Sequence, residues 1–504
     1  MPTAEPTAEP PPVPPPSAVG RVDRVTDDAA APTATSAQPS AQPSASTVAS
    51  TSGPSPAVDV EGLRERVRDL MPQVRADLEA LVRIPSVSAS SFDQSQVARS
   101  AEAVAALLRA EGLEVEIVTE GGRPAVIGHV DGPAGAPTVT LYAHHDVQPP
   151  GDEADWDTAP FEPTERGGRL YGRGAADDKA GVMAHVAALR AHAGALPVGL
   201  TIFVEGEEES GSPSLETILQ RHGDRLAADA IVIADSTNWA IGAPALTTTL
   251  RGGLRAVVRV RTLDHSVHSG MYGGAAPDAV TALVRLLASL HDDAGSVAVE
   301  GLDAGEAADL DYDEARFREE SGLLDGVELI GTGAILSRLW TQPSITTIGI
   351  DATSIDKASN TLAASAAAKI SVRLAPTQDP ATAFELVREH LLRHAPWGAQ
   401  VEVELEESGP GFAADADGPV YDEARASFAD AWGTDPVDIG VGGSIPFIAS
   451  FVERFPEAAI IVTGVEDPDT RAHGANESLH LGEFEKVCLA EAVFLARMGT
   501  RTTS

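Results

Sequence analysis

Short apolar runs with strand character alternate with longer helical segments along most of this chain, and this alternation constrains the fold more than any other feature. The first runs are VEIVTE, AVIGHV, TVTLYAHH, GLTIFVEG and AIVIADS, with helical stretches such as 96–111 and 180–193 between them. Strands connected through helices usually pair in parallel, and the helices cover both faces of the sheet. We therefore predict an α/β fold with a mostly parallel sheet, whose ligand site lies beyond the carboxyl ends of the strands.

A different order of elements occupies residues 252–408: strand, helix, strand, strand, helix, strand. This is the order of a ferredoxin-like α+β module, so we expect such a module to be inserted into the α/β domain. Residues 57–251 and 409–504 would then form the two parts of that domain, which ends in a helix over 481–498. The acidic stretch 300–320 is predicted to be a solvated insertion within the module.

Composition excludes several other classes of protein. Residues 1–56 are mostly Pro, Ala, Ser and Thr, which bury too little apolar surface to offset the entropy of ordering, so a disordered tail is predicted. The 75 acidic and 36 basic residues give a formal charge of −39, which disfavours nucleic acid and anionic membranes as partners. The single Cys488 excludes an internal disulfide or a thiolate zinc cluster. No apolar run reaches the roughly 20 residues of a membrane span, and no signal-peptide pattern is evident, so we expect a cytoplasmic location.

The first candidate site residues follow the apolar strand in LYAHHDV. Residues two apart on a strand point the same way, so His144 and Asp146 share a face while His145 points to the other. A carboxylate that accepts the second ring N–H is a common way of orienting a metal-binding histidine. The alternative is a His and an Asp that only solvate a loop at the end of a strand.

Two acidic clusters come next. In GRGAADDKAG a Gly-rich turn leads into a helix, where Asp177 could bridge two cations through its two oxygens; alternatively, Asp177 or Asp178 is an ordinary N-cap. In EGEEESGS, which follows the strand GLTIFV, crowded carboxylates that include Glu208 and Glu209 repel one another unless a cation lies between them. A solvated acidic loop is the alternative for this cluster.

Two more residues complete the candidate set. Asp235 follows the strand AIVIA, and His473 lies in RAHGANE. Together the clusters offer two imidazoles and at least three carboxylates at predicted strand ends or loops of one α/β unit. A mixed set of nitrogen and oxygen ligands without sulfur suits Zn²⁺, with Mn²⁺ or Co²⁺ as alternatives.

Seven motifs in this order resemble the signatures of one family. LYAHHDVQPP, YGRGAADDKAG, EGEEESGS, IADS, HSGMYGG, VGGSIPF and AHGANES are similar to those of the two-zinc metallopeptidases, which include carnosinase, aminoacylase, carboxypeptidase G and succinyl-diaminopimelate desuccinylase. The resemblance covers the chain from about residue 58 onward, and EGEEESGS and HSGMYGG point to the dipeptidase branch. It implies a catalytic α/β domain, an inserted lid and dimerisation domain, and two Zn²⁺ per subunit.

The resemblance also assigns roles by position. It makes Asp177 the bridge between two ions, places His144 and Asp235 on one ion, and places Glu209 and His473 on the other. Asp146 would orient His144, and Glu208 would be the general base. Two cations about 3.5–4 Å apart polarise an amide carbonyl and lower the pKa of a bridging water, whose proton Glu208 would take and pass to the departing amine.

Further residues are expected to bind the substrate. By resemblance, His268 in HSGMYGG would reach into the active site of the partner subunit and stabilise the oxyanion, which makes a homodimer necessary; the alternative is a turn histidine. Arg373 offers a bidentate fork to a peptide carboxylate, and Gly443 and Ser444 precede a helix whose N–H groups suit the same anion. A plain strand arginine and a simple N-cap are the alternatives. Asn360 resembles a polar lid residue near the scissile carbonyl.

These assignments favour a homodimeric metal-dependent dipeptidase acting on short peptides with a free carboxyl end. An N-acyl amino acid deacylase, desuccinylase or carbamoylase would use the same metal ligands, because side-chain pockets rather than ligands separate these activities. A non-catalytic metal- or peptide-binding protein is a third hypothesis. Glu208 argues against it, because a binding protein has no need of a proton shuttle.

Overall fold

The structure is a computed structural model that describes residues 58–443 and 446–501. The predicted tail over 1–56 and the candidate residue Ser444 therefore lie outside the described residues.

The described strands and helices follow one another with short connections in most of the chain. The strands are β1 (Glu114–Val118), β2 (Ala125–Val130), β3 (Thr138–His144), β4 (Thr164–Arg166), β5 (Arg169–Tyr171), β6 (Gly199–Glu205), β7 (Ala230–Ile233), β8 (Ala245–Leu250), β9 (Gly252–Arg261), β10 (Val267–His268), β11 (Ser344–Asp351), β12 (Thr361–Leu362), β13 (Ser365–Leu374), β14 (Gln400–Gly409), β15 (Phe412–Ala413), β16 (Val437–Val441), β17 (Ala459–Val462) and β18 (Ser478–His480). The helices are α1 (Val60–Val82), α2 (Ser95–Ala110), α3 (Lys179–Ala191), α4 (Leu215–Leu226), α5 (Ser269–Tyr272), α6 (Ala279–Ala288), α7 (Glu314–Ser321), α8 (Ile335–Trp340), α9 (Pro380–Arg393), α10 (Pro419–Trp432), α11 (Pro446–Arg454) and α12 (Leu481–Gly499).

The largest sheet confirms the predicted α/β fold. Its strand order is β1, β2, β6, β3, β7, β17, β8, β15, and β16 also pairs with β8. The central neighbours β6, β3, β7 and β17 are parallel, whereas the pairs toward both edges include antiparallel ones. β6 and β7 are buried along their whole length, as expected for strands covered on both faces. The carboxyl ends of these parallel strands meet at one edge of the sheet.

Helices cover both faces of this sheet. α1, α2, α3, α10 and α12 form one layer, with a core that includes Leu78, Leu141 and Phe484. α4 and α11 form the other, with a core that includes Tyr142 and Phe451. Leu141 and Tyr142 are adjacent on β3 and supply opposite cores, because successive strand residues point to opposite faces.

A separate antiparallel sheet confirms the predicted ferredoxin-like module. Its strand order is β11, β13, β9, β14. α6 and α9 pack on one face of it, through a core that includes Leu254, Leu283 and Val372. Arg373 follows Val372 on β13 and therefore lies on the other face.

The acidic stretch 300–320 contains no buried residue, in agreement with the predicted solvated insertion, but part of it packs against the rest of the protein. It contains α7, and Tyr312 packs against Trp239 with ring centroids 5.7 Å apart. The Arg316 guanidinium lies 4.2 Å from the Trp239 ring centroid and donates to the Trp239 carbonyl oxygen. Leu310 packs against the same cluster. These contacts attach the otherwise exposed segment to Trp239. No described helix has both the length and the apolar character needed to span a membrane.

Candidate metal centre

His144 ends β3 at the carboxyl edge of the large sheet, and its imidazole is completely buried. Nδ1 lies 3.2 Å from the main-chain oxygen and 3.4 Å from Oδ1 of Asp146. Nε2 has no hydrogen-bond partner among the described residues and points toward Oδ1 of Asp177, 3.2 Å away. His145 points the other way, with Nε2 2.9 Å from the Pro124 carbonyl oxygen. The geometry therefore differs from that of a histidine that only solvates a loop.

Asp177 lies between two imidazoles. Its Oδ1 faces His144 Nε2, and its Oδ2 lies 3.0 Å from Nε2 of His473. His473 is on the loop between β17 and β18, with its side chain 59% exposed and φ of 62°. This carboxylate has one oxygen on each side, as a ligand shared by two cations would require.

The turn that carries Asp177 is held by Glu477, a residue that the sequence analysis did not select. Oε1 of Glu477 accepts hydrogen bonds from the N–H groups of Ala176 and Asp177, and Oε2 accepts from Gly174 N–H and Arg173 Nη1. Glu477 is fully buried. Its carboxylate thus fixes the main chain on the amino-terminal side of Asp177.

Asp178 is an N-cap residue by position only. Asp178 does occupy the N-cap position of α3, but its side chain makes no capping hydrogen bond. Its Oδ2 instead accepts from the main-chain N–H of His144 at 3.1 Å. The peptide bond between Asp177 and Asp178 is cis. Asp178 therefore joins the helix start to the end of β3.

The EGEEESGS turn is tied to the same centre and is not a solvated acidic loop. The N–H groups of Glu208 and Glu209 donate to the two carboxylate oxygens of Asp146, at 3.2 and 3.1 Å. Oε2 of Glu209 lies 3.3 Å from His473 Nε2 and accepts from Gln148 Nε2 at 2.6 Å. Asp146 thus links the loop after β3 to the loop after β6.

Two overlapping groups of potential ligand atoms result. Atoms of His144, Asp177 and Glu209 lie within 4.8 Å of one another, and so do atoms of His144, Glu208 and Asp235. Asp235 follows β7, and its Oδ1 is 4.0 Å from His144 Nε2. The structure therefore brings together all five predicted metal ligands and also places Glu208 within reach of the second group.

Burial and the closeness of several carboxylates shift the pKa values of the residues in the centre. Burial, followed by the charge of Asp235, raises the pKa of Glu208 well above its usual value. Burial raises that of Asp235 in the same way, with Asp177 as a further cause. For Asp177, burial alone would raise the pKa, but the nearby imidazoles of His144 and His473 outweigh it and lower the pKa. The hydrogen bonds to Asp177 and Glu209 raise the pKa of His473 to about 11.

These residues fit a divalent metal. Several buried carboxylates within a few ångströms are costly unless cations neutralise them. The buried Nε2 of His144, which has no hydrogen-bond partner, is available as a nitrogen ligand. Imidazole and carboxylate donors without sulfur suit Zn²⁺, Mn²⁺ or Co²⁺.

Glu466 is a further carboxylate at this centre that the sequence analysis missed. It follows β17, which is parallel to β7, and its backbone forms a bridge with Thr237 just beyond Asp235. Burial raises its pKa, and the charges of Asp177 and Asp235 raise it further. The signal that selected Asp235, an acid after a buried strand, could also have selected Glu466.

The inserted module brings His268 and Asn360 together. β10 pairs with β12, so that His268 lies opposite Thr361, and Ser269 N–H donates to the Asn360 carbonyl oxygen. Nδ1 of His268 accepts from Gly270 N–H at 3.0 Å. His268 is exposed, and no hydrogen bond or ion pair within the described chain connects it to the proposed metal ligands.

Arg373 lies close enough to a second arginine, Arg251, to influence its charge. It is half-buried on β13, and burial lowers its pKa, with Arg255 as a further cause. Arg373 also lowers the pKa of Arg251, whose guanidinium approaches Gly442. Arg251, which approaches Gly442, is a residue that the sequence analysis did not select.

Similarity to known proteins agrees with this geometry. Residues 140–497, a range that includes all five predicted metal ligands, match the family model of peptidase family M20/M25/M40. The chain belongs to peptidase family M20. This membership, together with the ligand geometry, identifies the M20 chain as a metal-binding hydrolase that acts on peptides.

Named relatives of this M20 chain include dipeptidases. It is 38% identical over 408 residues to the cysteinylglycine-S-conjugate dipeptidase of Corynebacterium striatum, covering 79% of this chain and 90% of that protein. It is 30% identical over 396 residues to the human β-Ala-His dipeptidase, covering 74% and 77%. The crystal structure of human carnosine dipeptidase 1 matches with a TM-score of 0.73 at 27% identity, over 88% of this chain and all of that chain. The yeast dipeptidase Dug1p shares the fold, with the same TM-score at 23% identity, over 88% and 99% of the two chains.

Proposed function

We propose that this chain is a metal-dependent dipeptidase that hydrolyses the amide bond of short peptides with a free C-terminal carboxylate and holds two Zn²⁺ per subunit. The position of Asp177 carries this proposal, because its two oxygens face two different imidazoles. A carboxylate in that position can hold two cations side by side. The dipeptidases among the named relatives support the substrate class.

In the proposed centre, His144 and Asp235 would hold one ion, Glu209 and His473 would hold the other, and Asp177 would be shared by both. When bound, such ions polarise a scissile carbonyl and lower the pKa of an attacking water. Asp146 positions the set through its contacts with His144 Nδ1 and with the N–H groups of Glu208 and Glu209.

Glu208 is the proposed general base. It lies beside Glu209 in the same short turn, and its carboxylate is close to His144 and Asp235. A group at this place can take a proton from water and deliver it to the leaving amine. The same proximity would also allow Glu208 to bind a metal, so the metal content of a variant separates the two roles.

The variant Glu208→Gln tests this assignment, with the exposed helix residue Glu216→Gln as control. We expect both proteins to retain two equivalents of zinc by elemental analysis, and only Glu208→Gln to lose dipeptide turnover, by at least about 100-fold. Unchanged turnover would show that another group is the base. Loss of one zinc equivalent would show that Glu208 is a ligand.

A substrate panel tests the reaction class. Cys-Gly, β-Ala-His, N-acetyl amino acids and N-succinyl amino acids differ in the acyl group, while their free carboxylates are the same. We expect hydrolysis of the dipeptides. Turnover confined to the acylated amino acids would replace the dipeptidase with a deacylase, and a zinc-loaded protein that hydrolyses none of them would favour the binding-protein hypothesis.

We further propose that the chain forms a homodimer through the inserted module and that His268 acts in the partner's active site. Nδ1 of His268 accepts a hydrogen bond, so the neutral ring carries its proton on the exposed Nε2 and can donate to an oxyanion. β11 is an edge strand whose Ile348 and Ile350 are exposed, and Ile355 nearby is 93% exposed. Unpaired edges with apolar side chains are typical of association surfaces.

Mixed subunits test catalysis across the dimer. His268→Ala and Glu208→Gln subunits, each inactive alone, would together form a hybrid dimer with one intact site. After subunit exchange at equal concentrations, about a quarter of wild-type turnover is expected, because half of the dimers are hybrids with one working site of two. No recovery after demonstrated exchange would place His268 in the site of its own chain.

The substrate carboxylate is proposed to bind Arg373 and the segment containing Gly443 and Ser444, with Asn360 beside His268 near the scissile carbonyl. The division into a catalytic domain (57–251 and 409–504) and an inserted lid (252–408) is part of the same proposal. A cytoplasmic location stays a prediction from the sequence.

A further inference from the structure

Gln148 is a half-buried residue that donates a hydrogen bond to each oxygen of the Glu209 carboxylate. Its main-chain N–H donates to Oε1 of Glu209 at 3.1 Å, and its Nε2 donates to Oε2 at 2.6 Å. Nε2 also donates to the main-chain oxygen of Glu209 at 3.3 Å. The Glu209 side chain is only 3% exposed. Because each carboxylate oxygen has a donor of its own, this one residue fixes the orientation of the whole group.

The backbone around Gln148 is fixed on both sides, which explains why its side chain reaches this carboxylate. Val147 is fully buried and forms a parallel backbone bridge with the segment that follows α1. Pro149 comes next, and a residue that precedes proline is restricted to extended conformations. Residues two apart in an extended segment point the same way, so Asp146 and Gln148 both contact the 208–210 turn.

Gln148 donates to the carboxylate without adding a charge. A lysine or arginine at this place would neutralise Glu209 and repel a metal ion, whereas an amide leaves the negative charge available to one. The oxygen that accepts from Gln148 Nε2 is also the one that lies 3.3 Å from Nε2 of His473. A carboxylate oxygen has two lone-pair positions, so a single donor leaves the second position for a cation. This oxygen can therefore share an ion with His473.

We propose that Gln148 is a positioning residue that sets the affinity for the ion on the Glu209 and His473 side of the centre. This inference rests on the proposed two-metal dipeptidase. Of the two residues that only this ion would contact, His473 lies on an exposed loop, so Glu209 is the one whose position the protein restrains. No hydrogen bond in the described chain connects Gln148 to His144 or Asp235. Loss of Gln148 should therefore weaken one ion and not the other.

A role in attaching the turn that carries Glu209 is the competing explanation, because Nε2 also donates to the main chain there. Ser210 provides the control for that role: its Oγ donates to Ser88 Oγ at 2.7 Å, which attaches the same turn without contacting a carboxylate. Gln94 provides a control for the loss of a glutamine amide. It is also half-buried, and its Nε2 donates to three main-chain oxygens within residues 87–92 and to no proposed ligand.

The experiment titrates metal-free protein with zinc in competition with a chromophoric chelator, after thermal unfolding has shown that each variant folds. Gln148→Met keeps the length of the side chain but removes its donor. We expect one of the two zinc affinities to fall about 10- to 100-fold, the same one that His473→Ala abolishes, and the other to stay unchanged. Ser210→Ala and Gln94→Met should change neither. An equal loss for both ions, no loss, or the same one-sided loss in Ser210→Ala would overturn the inference.

Steady-state kinetics separates a role in metal binding from a role in binding the substrate. At limiting zinc, Gln148→Met should hydrolyse a dipeptide more slowly than wild type. Saturating zinc should restore kcat and leave KM at the wild-type value, because the missing hydrogen bonds affect the occupancy of the centre. A raised KM together with wild-type zinc affinity would mean that Gln148 contacts the substrate instead, which would contradict the inference.

The failure of this inference is distinguishable from the failure of the proposed function. A wild-type protein that binds fewer than two zinc ions would overturn both. A wild type that binds two and hydrolyses dipeptides, with Gln148→Met equally tight for both ions, would overturn only the role of Gln148. If Gln148→Met does not fold, Gln148→Asn takes its place, because its shorter amide cannot reach Oε2 of Glu209 from the same backbone. The one-sided loss of affinity in that variant supports the inference, and unchanged affinities contradict it.

Discussion

Glu477→Gln is the substitution that most directly tests how the chain positions Asp177. Each carboxylate oxygen of Glu477 accepts two hydrogen bonds, one pair from Arg173 Nη1 and Gly174 N–H, the other from Ala176 and Asp177 N–H. An amide keeps one accepting oxygen and presents an NH₂ group where the other was. Whichever way it turns, two buried donors lose their acceptor, and the Arg173 ion pair is lost.

The magnitude follows from these contacts. A buried donor without a partner costs about 1–3 kcal/mol, so two of them cost about 2–6 kcal/mol, and breaking a buried ion pair by removing one charge typically costs about 3–5 kcal/mol. We expect the free energy of unfolding to fall by about 3–5 kcal/mol. Because Asp177 N–H is one of the donors, metal affinity should also fall, by about 10- to 100-fold.

Urea unfolding followed by circular dichroism measures the first effect, on metal-free protein so that binding does not contribute. Competition with a chromophoric chelator measures the second. Glu483→Gln is the control: Glu483 is also buried and accepts from Trp432 Nε1 and Lys486 Nζ, but it contacts none of the proposed ligands. It should lower stability without changing metal affinity. A loss below 1 kcal/mol for Glu477→Gln, or an unchanged affinity, would refute the reasoning.

Two other properties can be tested in the same way. Burial lowers the pKa of His185, but Glu491 outweighs it and raises the pKa, so the stability from this pair should be complete below about pH 6.5 and lost as pH rises through the folded-state pKa. The difference in unfolding free energy between wild type and His185→Gln should therefore shrink from pH 6 to pH 9, and a difference that grows would contradict the assignment. Ile350→Lys on the exposed edge strand β11 should convert dimer to monomer in analytical ultracentrifugation, whereas Val452→Lys on α11 should not; a dimer that survives Ile350→Lys would place the interface elsewhere.

The fold and the convergence of the proposed metal ligands were largely predictable because both follow from where strands end. His144 and Asp235 follow buried runs, and parallel neighbours place such ends at one edge of a sheet. The order of elements in the inserted module was equally predictable, because apolar residues recur at a different spacing in its strands than in its helices. For Asp177 and His473, the choice between a metal ligand and an ordinary loop residue depended on the family resemblance, because each lies in a loop whose path no local pattern dictates.

Other features were hidden because they depend on contacts between distant segments. Glu477 accepts hydrogen bonds from donors about 300 positions earlier in the chain. Nothing in the local sequence around Glu477 indicates that contact. In the sequence, Arg251 is an ordinary arginine at the end of a strand. Only the structure shows that it is buried and approaches Gly442. The contacts of Tyr312 and Arg316 with Trp239 were not predicted, because acidic neighbours outnumber the few side chains that make them.

The two imidazoles of the proposed centre differ in how strongly the protein restrains their positions. His144 ends a central strand and is fully buried. His473 lies on an exposed loop and has a left-handed backbone conformation, which costs about 1–3 kcal/mol for most residues. We therefore expect the ion on the Glu209 and His473 side to leave first, in a rapid phase of stripping, and the other to follow slowly. Purified enzyme would then readily become half-loaded, and its apparent activity would depend on how much free zinc the buffer supplies.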